Sequence, residues 1–244
     1  MSIEQSTTAL RAALGSVVVG QEDAMDELIA AWLAGGHVLL EGVPGVAKTL
    51  LARTLAAALG LDFGRVQFTP DLMPADITGG SIFDFKGGAF QLQKGPLFCQ
   101  VLLADEINRA PPKTQAALLE AMQERQATID GESHALDPGF FVVATQNPID
   151  QEGTYPLPEA QLDRFLLRVE VGYPEPDAEL EVYRRFRDGA LPKDGKPPAL
   201  TPVVDAAGAA RLRESLREVH VEDGVLVYVQ QLVAATRAAP RLVW

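Results

Sequence analysis

The sequence predicts an α/β fold in which a parallel sheet lies between layers of helices and a smaller helical part follows. Apolar runs typical of buried strands alternate with segments of helical spacing, which is the pattern of a parallel sheet covered by helices. A glycine-rich turn joins one such run, His37–Glu41, to an Ala- and Leu-rich helix at Leu50–Leu59. After the proline-rich joint at Tyr173–Asp177, only helical patterns follow. We therefore expect a core at residues 1–173 and a helical part at residues 174–244.

The individual strands and helices follow from hydrophobic periodicity. Apolar runs predict strands at 37–41, 65–69, 101–106, 140–145 and 166–171. Helical spacing predicts helices at 7–14, 21–34, 50–59, 112–126, 159–165, 177–188, 205–218 and 222–239. Gln21–Asp23 are placed to cap the second helix. Leu191–Pro198 is predicted to be a loop.

Two short β elements interrupt this alternation. Pro70–Gly80 is dense in turn-forming residues. Ser81–Phe85 and Ala89–Gln93 flank a Lys-Gly-Gly turn and predict a hairpin. Residues 127–130 and 134–136 predict a second hairpin, and both read as insertions into the α/β pattern.

Composition limits the class of protein. A chain of 244 residues can bury a sizeable core, and its net charge of −12 argues against a nucleic-acid-binding groove. No apolar run approaches the ~18 residues of a membrane-spanning helix. The single cysteine, Cys99, lies in an apolar run and is expected in the core of a protein from a reducing compartment, the cytoplasm.

The glycine-rich turn predicts a phosphate-binding loop. A turn between a strand and a helix leaves backbone N–H groups free to bind an anion, assisted by the helix dipole. Lys48 adds a charge for the β- and γ-phosphates, and Thr49 offers its hydroxyl to Mg²⁺. The strict pattern has Gly before the Lys, where this chain has Ala47. The candidate nucleotide-binding residues of this loop are Gly42, Val43, Pro44, Gly45, Val46, Ala47, Lys48, Thr49 and Leu50.

A second candidate for nucleotide contact lies upstream of this loop. The apolar run Val17–Val19 ends in Gly20 and Gln21. Val19, Gly20 and Gln21 could pack on an adenine ring, or the segment could simply fold onto the core. The sequence leaves both readings open.

Two carboxylates end the strand at 101–106. Adjacent side chains on a strand point to opposite faces, so Asp105 and Glu106 are expected in different environments with different roles. Asp105 suits an outer-sphere contact to Mg²⁺, and Glu106 suits the activation of a water in line with the γ-phosphate.

Two further polar residues are candidates for catalysis. Asn147 follows a buried strand at the edge where parallel sheets place their ligands, so it could orient the attacking water or serve as a turn residue before Pro148. Arg164 is either half of an ion pair with Asp163 or a donor to the nucleotide of a neighbouring subunit.

These motifs, in this order, resemble the MoxR family of AAA+ ATPases. The resemblance spans residues 17–173 and is carried by the loop Gly42–Thr49 and by the segments Leu103–Ala110, Gln115–Met122, Ala144–Pro148 and Gly153–Phe165. It implies a P-loop AAA+ fold with a five-stranded parallel sheet and a small C-terminal helical lid. Residues 70–95 look like the helix-2 insert, and residues 126–139 look like the hairpin before sensor 1.

The resemblance also implies a role for each candidate residue. Lys48 and Thr49 would form Walker A. Asp105 and Glu106 would form Walker B, with Glu106 activating water. Asn147 looks like sensor 1, and Arg164 like the arginine finger acting in trans, with Arg109 as second choice.

At the level of the whole protein, the resemblance implies ATP and Mg²⁺ as cofactors and a hexameric ring as the assembly. A client or adaptor protein is implied as partner, possibly one with a von Willebrand factor A domain. The expected function is ATP hydrolysis coupled to remodelling, maturation or metal insertion of clients. The alternative is a nucleotide-gated binding module with slow hydrolysis. The sensor 2 arginine of AAA+ lids would fall near Trp244, so we expect a truncated lid in which Arg237 and Arg241 are poor substitutes.

Overall fold

The computed structural model describes residues 2–85, 87–148, 153–191 and 200–239, and the following account concerns these residues. The strands are β1 (Val38–Glu41), β2 (Phe63–Gln67), β3 (Gly79–Asp84), β4 (Ala89–Lys94), β5 (Val101–Asp105), β6 (Gln126–Ile129), β7 (Glu132–Ala135), β8 (Phe141–Gln146) and β9 (Leu167–Glu170). The helices are α1 (Ile3–Val17), α2 (Glu22–Ala34), α3 (Lys48–Ala58), α4 (Pro74–Thr78), α5 (Pro112–Glu124), α6 (Glu159–Leu162), α7 (Pro176–Arg187), α8 (Ala206–Glu214) and α9 (Asp223–Ala238). Short 3₁₀ turns lie at Ile107–Arg109 and Ser215–Glu218.

Five parallel strands form the central sheet in the order β2-β5-β8-β1-β9, which confirms the predicted fold class. The pairing brings Glu41 of β1 opposite Gln146 of β8. It also brings Gln67 of β2 opposite Asp105 of β5. Because all five strands run the same way, the residues that follow them meet along one edge of the sheet.

Helices cover both faces of this sheet. Alternate strand residues enter two separate clusters of buried side chains, as strand geometry requires. Leu40, Leu103 and Val143 join the cluster beneath α1, α2 and α3. Leu39 and Leu102 join the cluster beneath α5, which also holds the buried Cys99. Cys99 is therefore a core residue, as predicted, and its burial raises the pKa of the thiol to about 12.

Two antiparallel hairpins, β3–β4 and β6–β7, stand apart from the central sheet. Both were predicted. The turn-rich segment before β3 also contains the short helix α4, which the sequence reading did not anticipate. There Asp76 accepts a hydrogen bond from the backbone N–H of Met73 at 2.8 Å, which stabilises the first turn. Lys86 of the predicted hairpin turn lies outside the described residues.

Several predicted boundaries were wrong for identifiable reasons. The second strand begins at Phe63 rather than Arg65, since it pairs with β5 from that residue on. The strand 101–106 ends at Asp105, because Glu106 adopts a left-handed conformation with φ 57°. The helix predicted at 159–165 stops at Leu162, because Phe165 turns its side chain into the core. The helix predicted at 205–218 is α8 followed by a 3₁₀ turn.

The C-terminal part is helical, as predicted, and α8 packs on the core. Its residues Ala209 and Leu212 are buried in the cluster that contains α2. The preceding segment is held to α3 by a hydrogen bond of 2.7 Å from the Val203 N–H to the Ala58 carbonyl. Arg237 lies on α9, whereas Arg241, Trp244 and the predicted loop from Pro192 to Pro198 fall outside the described residues. None of the described helices has the length and apolar composition needed to cross a bilayer.

Candidate active site

The turn between β1 and α3 is the candidate phosphate-binding loop and lies at the carboxyl edge of the sheet. Its backbone takes positive φ at Gly45 (91°) and at Ala47 (68°), the residue before the first turn of α3. A left-handed conformation is the reason the strict pattern has glycine at the position of Ala47. Ala47 adopts the required conformation nonetheless, so the small departure in sequence leaves the loop geometry intact.

Gly42 anchors this loop to the neighbouring strand. A Cβ at Gly42 would lie 2.2 Å from the Val171 carbonyl oxygen, so only glycine fits there. The Val171 N–H donates to the Glu41 carbonyl at 2.7 Å. The start of the loop is therefore fixed by the end of β9.

Lys48 folds back over the loop. Its Nζ donates to the carbonyl oxygens of Gly42 and, at 3.3 Å, of Val43. Burial lowers the pKa of the Lys48 ammonium, while the charges of Asp105, Glu106 and Glu41 act in the opposite direction. The Lys48 ammonium thus lies close enough to these three carboxylates to feel their negative charge.

Asp105 accepts hydrogen bonds from several neighbouring side chains of the site. Its Oδ1 accepts from the Thr145 hydroxyl at 2.6 Å. Its Oδ2 accepts from Arg65 Nε at 3.2 Å and Nη2 at 2.7 Å, and the Thr49 hydroxyl lies 3.4 Å from the same oxygen. The structure therefore brings together Thr49 and Asp105, the two residues that the sequence assigned to a metal.

Glu106 and Asp105 have different environments, as predicted, but not for the predicted reason. Glu106 has left the strand in a left-handed turn, so strand alternation does not set its direction. Its carboxylate pairs with Arg109 at 2.8 Å, and its backbone N–H donates to the Thr145 hydroxyl at 2.9 Å. The side chain is about one-third exposed, whereas Asp105 is 11% exposed.

Asn147 follows β8 directly and is buried at the same edge of the sheet. The β8 strand lies between β5 and β1 in the sheet. Asn147 therefore has Asp105 and Glu106, at the end of β5, on one side and the loop that follows β1 on the other. The preceding residue, Gln146, donates to the Glu41 carboxylate at 2.7 Å, and Arg168 of β9 pairs with Glu41 at 2.5 Å. The loop and Asn147 are thereby linked through one buried carboxylate.

Arg164 is exposed in the turn after α6. The sequence allowed an ion pair between Arg164 and Asp163. Both residues lie in the part of the chain that the structure describes, and they form no such pair. Arg164 instead lines a surface groove between α5 and α6, together with Glu120, Gln123 and Glu124 of α5.

The Val19–Gln21 segment packs beside the end of β9. Val17 and Val18 are core residues, while Gly20, at φ 71°, lies so close to Pro174 that an added Cβ would be 2.7 Å from its Cβ. Gln21 was expected to help cap α2, but its side chain donates to the Gly172 carbonyl at 2.9 Å and makes no cap bond. Nucleotide contact by this segment therefore stays a prediction.

The sequence reading missed Arg65 and Thr145. Arg65 was visible as the charged residue of the second strand, and Thr145 as a polar residue at the end of an apolar strand. Neither signal shows that both side chains reach Asp105, because that contact depends on which strands are neighbours.

The oxygen atoms near the loop fit a magnesium ion. The Thr49 hydroxyl and the Asp105 carboxylate are hard donors of the kind that Mg²⁺ prefers, and Mg²⁺ typically takes one or two protein ligands together with waters and phosphate oxygens. The described residues contain no cluster of three or more His, Cys, Asp or Glu side chains suited to a metal. The donor set thus suits a nucleotide-bound cation better than a cage built by the protein alone.

Comparison with known proteins identifies the family of the chain. A family model described as "ATPase family associated with various cellular activities (AAA)" matches residues 37–167. The uncharacterized protein YeaC of Bacillus subtilis is 47% identical over 227 residues, covering 93% of this chain and 69% of that protein. Chaperone MoxR1 of Mycobacterium tuberculosis is 46% identical over 226 residues, covering 93% of this chain and 58% of that protein.

A solved structure agrees with these matches. The crystal structure of a candidate ATPase from Cytophaga hutchinsonii aligns with a TM-score of 0.81 and 43% identity, over 96% of this chain and 71% of that one. The chain spans about two thirds of the length of YeaC and somewhat over half of MoxR1. The family model, the relatives and the solved structure thus show that the chain belongs to the AAA family of ATPases, as a relative of the MoxR proteins.

Proposed function

We propose that this chain hydrolyses ATP with Mg²⁺ and couples the reaction to remodelling, maturation or metal insertion of client proteins. One observation carries the hydrolytic part. Lys48, Thr49 and Asp105 converge at the carboxyl edge of the sheet, with the Thr49 hydroxyl 3.4 Å from the Asp105 carboxylate. The chaperone-like part is supported by the relative named Chaperone MoxR1.

Each part of the site has a distinct task in this proposal. The backbone N–H groups of residues 42–50 and the Lys48 ammonium hold the phosphates, while Val19, Gly20 and Gln21 lie against the base. Thr49 and Asp105 would hold Mg²⁺, which supplies positive charge to the phosphate oxygens.

Hydrolysis itself is assigned to the two residues that follow β5 and β8. Glu106 accepts a proton from the attacking water, and Asn147 orients that water. Both leave their strands at the edge where the loop lies, which supports a shared position around the γ-phosphate.

The proposed assembly is a hexameric ring in which Arg164 acts on the nucleotide of the next subunit. Its exposure in a surface turn, without a local ion pair to Asp163, supports a role outside its own subunit. We further propose residues 174–244 as part of a helical lid, and residues 70–95 and 126–139 as inserts that face the centre of the ring. The client or adaptor, possibly one with a von Willebrand factor A domain, would be met in the cytoplasm.

The Glu106→Gln variant tests the proposed hydrolysis. It should bind ATP as the parent does but release little phosphate, since an amide cannot accept the proton. Glu27→Gln, the same change on the exposed face of α2, is the matched control and should hydrolyse at the parent rate. Parent-like turnover by Glu106→Gln would refute the assignment of the base.

One observation favours a second candidate, a nucleotide-gated binding module with slow hydrolysis. Arg109 holds the Glu106 carboxylate in an ion pair, so the proposed base is engaged by a positive charge of its own chain. Phosphate release by the parent, measured at several protein concentrations, separates the two candidates. A rate that stays near the uncatalysed one at every concentration, despite saturating ATP binding, would favour the module.

A further inference from the structure

Arg65 lies on β2, the edge strand beside β5, and reaches across to a carboxylate of the site. Its Nε and Nη2 both donate to Oδ2 of Asp105, at 3.2 and 2.7 Å. Nη2 also donates to the Gln67 side chain at 2.8 Å, which fixes the orientation of the guanidinium. Arg65 thus donates two hydrogen bonds to one oxygen of Asp105, and a third hydrogen bond orients its guanidinium. Such a charge-assisted contact is stronger and better ordered than a single bond between exposed side chains.

The position of this contact matters because Arg65 binds the Asp105 oxygen that lies next to Thr49. Oδ1 is taken by the Thr145 hydroxyl at 2.6 Å. Oδ2 is the oxygen that lies 3.4 Å from the Thr49 hydroxyl, and it is the one that Arg65 binds. A cation held between Thr49 and Asp105 would therefore meet the Arg65 guanidinium on the same oxygen.

We propose that Arg65 is an internal counter-ion that competes with the divalent cation for Asp105. In the nucleotide-free chain, the guanidinium balances the carboxylate and keeps free Mg²⁺ from binding. The cation gains this oxygen only together with the nucleotide, whose phosphates supply the remaining ligands. This inference rests on the proposed function, since it takes Thr49 and Asp105 as the cation site.

The charges of the site support this order of events. A free divalent ion would find two protein oxygens, those of Thr49 and of Asp105 Oδ2, and the second already bonds the positively charged Arg65. Two ligands are few for a cation that requires six, and nearby like charge weakens binding further. The triphosphate carries the negative charge that reverses this balance.

Arg168 offers a matched control at the opposite edge of the sheet. It lies on β9 and pairs at 2.5 Å with Glu41, a carboxylate that is 6% exposed. The Arg65 pair has the same form, with a buried carboxylate and an arginine that is 41% exposed. Only the Arg65 pair involves an oxygen next to Thr49.

The test measures binding of Mn²⁺ by electron paramagnetic resonance, with and without ATP. In the absence of nucleotide, Arg65→Gln should bind Mn²⁺ at least about tenfold more tightly than the parent, a change of about 1.4 kcal/mol. Arg65→Lys, which keeps the charge but loses the two-bond geometry, should show a smaller gain. Arg168→Gln should leave the affinity for Mn²⁺ at the parent value.

Two results would overturn the inference: an unchanged Mn²⁺ affinity in Arg65→Gln, or an equal gain in Arg168→Gln. Circular dichroism checks that each variant is folded. If Arg65→Gln is unfolded, Arg65→Lys decides, and a parent-like affinity in that variant counts against competition. If the parent fails to bind Mn²⁺ even with ATP, the cation site itself is wrong, which is a separate failure of the proposed function.

Discussion

The hydroxyl of Thr145 donates to Oδ1 of Asp105 at 2.6 Å and accepts the backbone N–H of Glu106 at 2.9 Å. One side chain on β8 therefore holds both proposed acids of the neighbouring strand β5. Because the Glu106 backbone is left-handed at this point, the bond to its N–H also secures the turn that aims its carboxylate. Thr145 thus positions the two acids without carrying a charge itself.

Thr145→Val should lower both stability and turnover. The substitution keeps the shape of the side chain but leaves the Asp105 carboxylate and the Glu106 N–H each without this partner, at a cost of about 1–3 kcal/mol in the free energy of unfolding. Thermal unfolding and phosphate release measure the two effects. Thr145→Ser keeps the hydroxyl and should retain more turnover than Thr145→Val. Equal turnover in the two variants would show that the hydroxyl does not position the acids.

Arg109→Gln separates a local role of this arginine from a role in a neighbouring subunit. Arg109 pairs with Glu106 in its own chain, so we expect its removal to leave phosphate release at or above the parent rate. The pair is partly exposed and lies within one turn, so stability should change by less than about 1 kcal/mol. A loss of turnover of about 10³-fold, of the size that trans-acting arginines contribute elsewhere, would instead make Arg109 the trans donor.

Arg164→Ala should bind nucleotide but lose most of its turnover. In the proposed ring, mixing this variant with Glu106→Gln subunits creates some sites that combine an intact base with an intact arginine. Mixed samples should therefore release phosphate faster than either variant alone. Arg187→Ala removes an exposed arginine paired with its neighbour Asp188 and serves as the control. Mixtures with no more activity than their components would contradict action in trans.

Because His37 is buried, the free energy of unfolding should decrease as the pH falls from about 6.5 to about 4. Burial lowers the pKa of His37 to about 4, the bond to the Met122 carbonyl partly opposes this, and the charges of Arg125 and Arg213 lower the pKa further. The ring accepts the Val142 N–H at 3.0 Å and lies 3.2 Å from the Met122 carbonyl, contacts that the neutral ring satisfies.

The sign of this effect follows from the two states of the chain. Between these pH values the unfolded histidine takes up a proton that the folded one refuses, so stability is lost by an amount of about 3 kcal/mol. The free energy of unfolding of His37→Gln, measured in urea across this range, should not show this loss. His220→Gln, which changes an exposed histidine, should show the same loss as the parent. Parallel curves for His37→Gln and the parent would refute the assignment.

The sequence predicts the elements of this site better than their contacts. Gly42–Thr49 has a local pattern, so its place between β1 and α3 could be read directly. The acids Asp105 and Glu106 were also recognisable where they end an apolar run. The contact of Arg65 with Asp105 was not, because it requires β2 and β5 to be neighbours, and strand order is not a local property.

Backbone conformation accounts for the other differences. The expectation that Glu106 continues a strand failed because a left-handed residue ends it, and nothing in the residue type requires that conformation. For Arg164, the sequence allowed an ion pair with Asp163 that the turn after α6 does not form.

The central claim is that the loop before α3 binds a triphosphate, and calorimetric titration with Mg·ATP tests it most directly. We expect one Mg·ATP-binding site per chain in the parent and in Glu106→Gln. We expect this site to be lost in Lys48→Ala and retained in Lys94→Ala, which changes an exposed lysine that packs on Phe98. Absence of binding by the folded parent, or parent-like binding by Lys48→Ala, would contradict it.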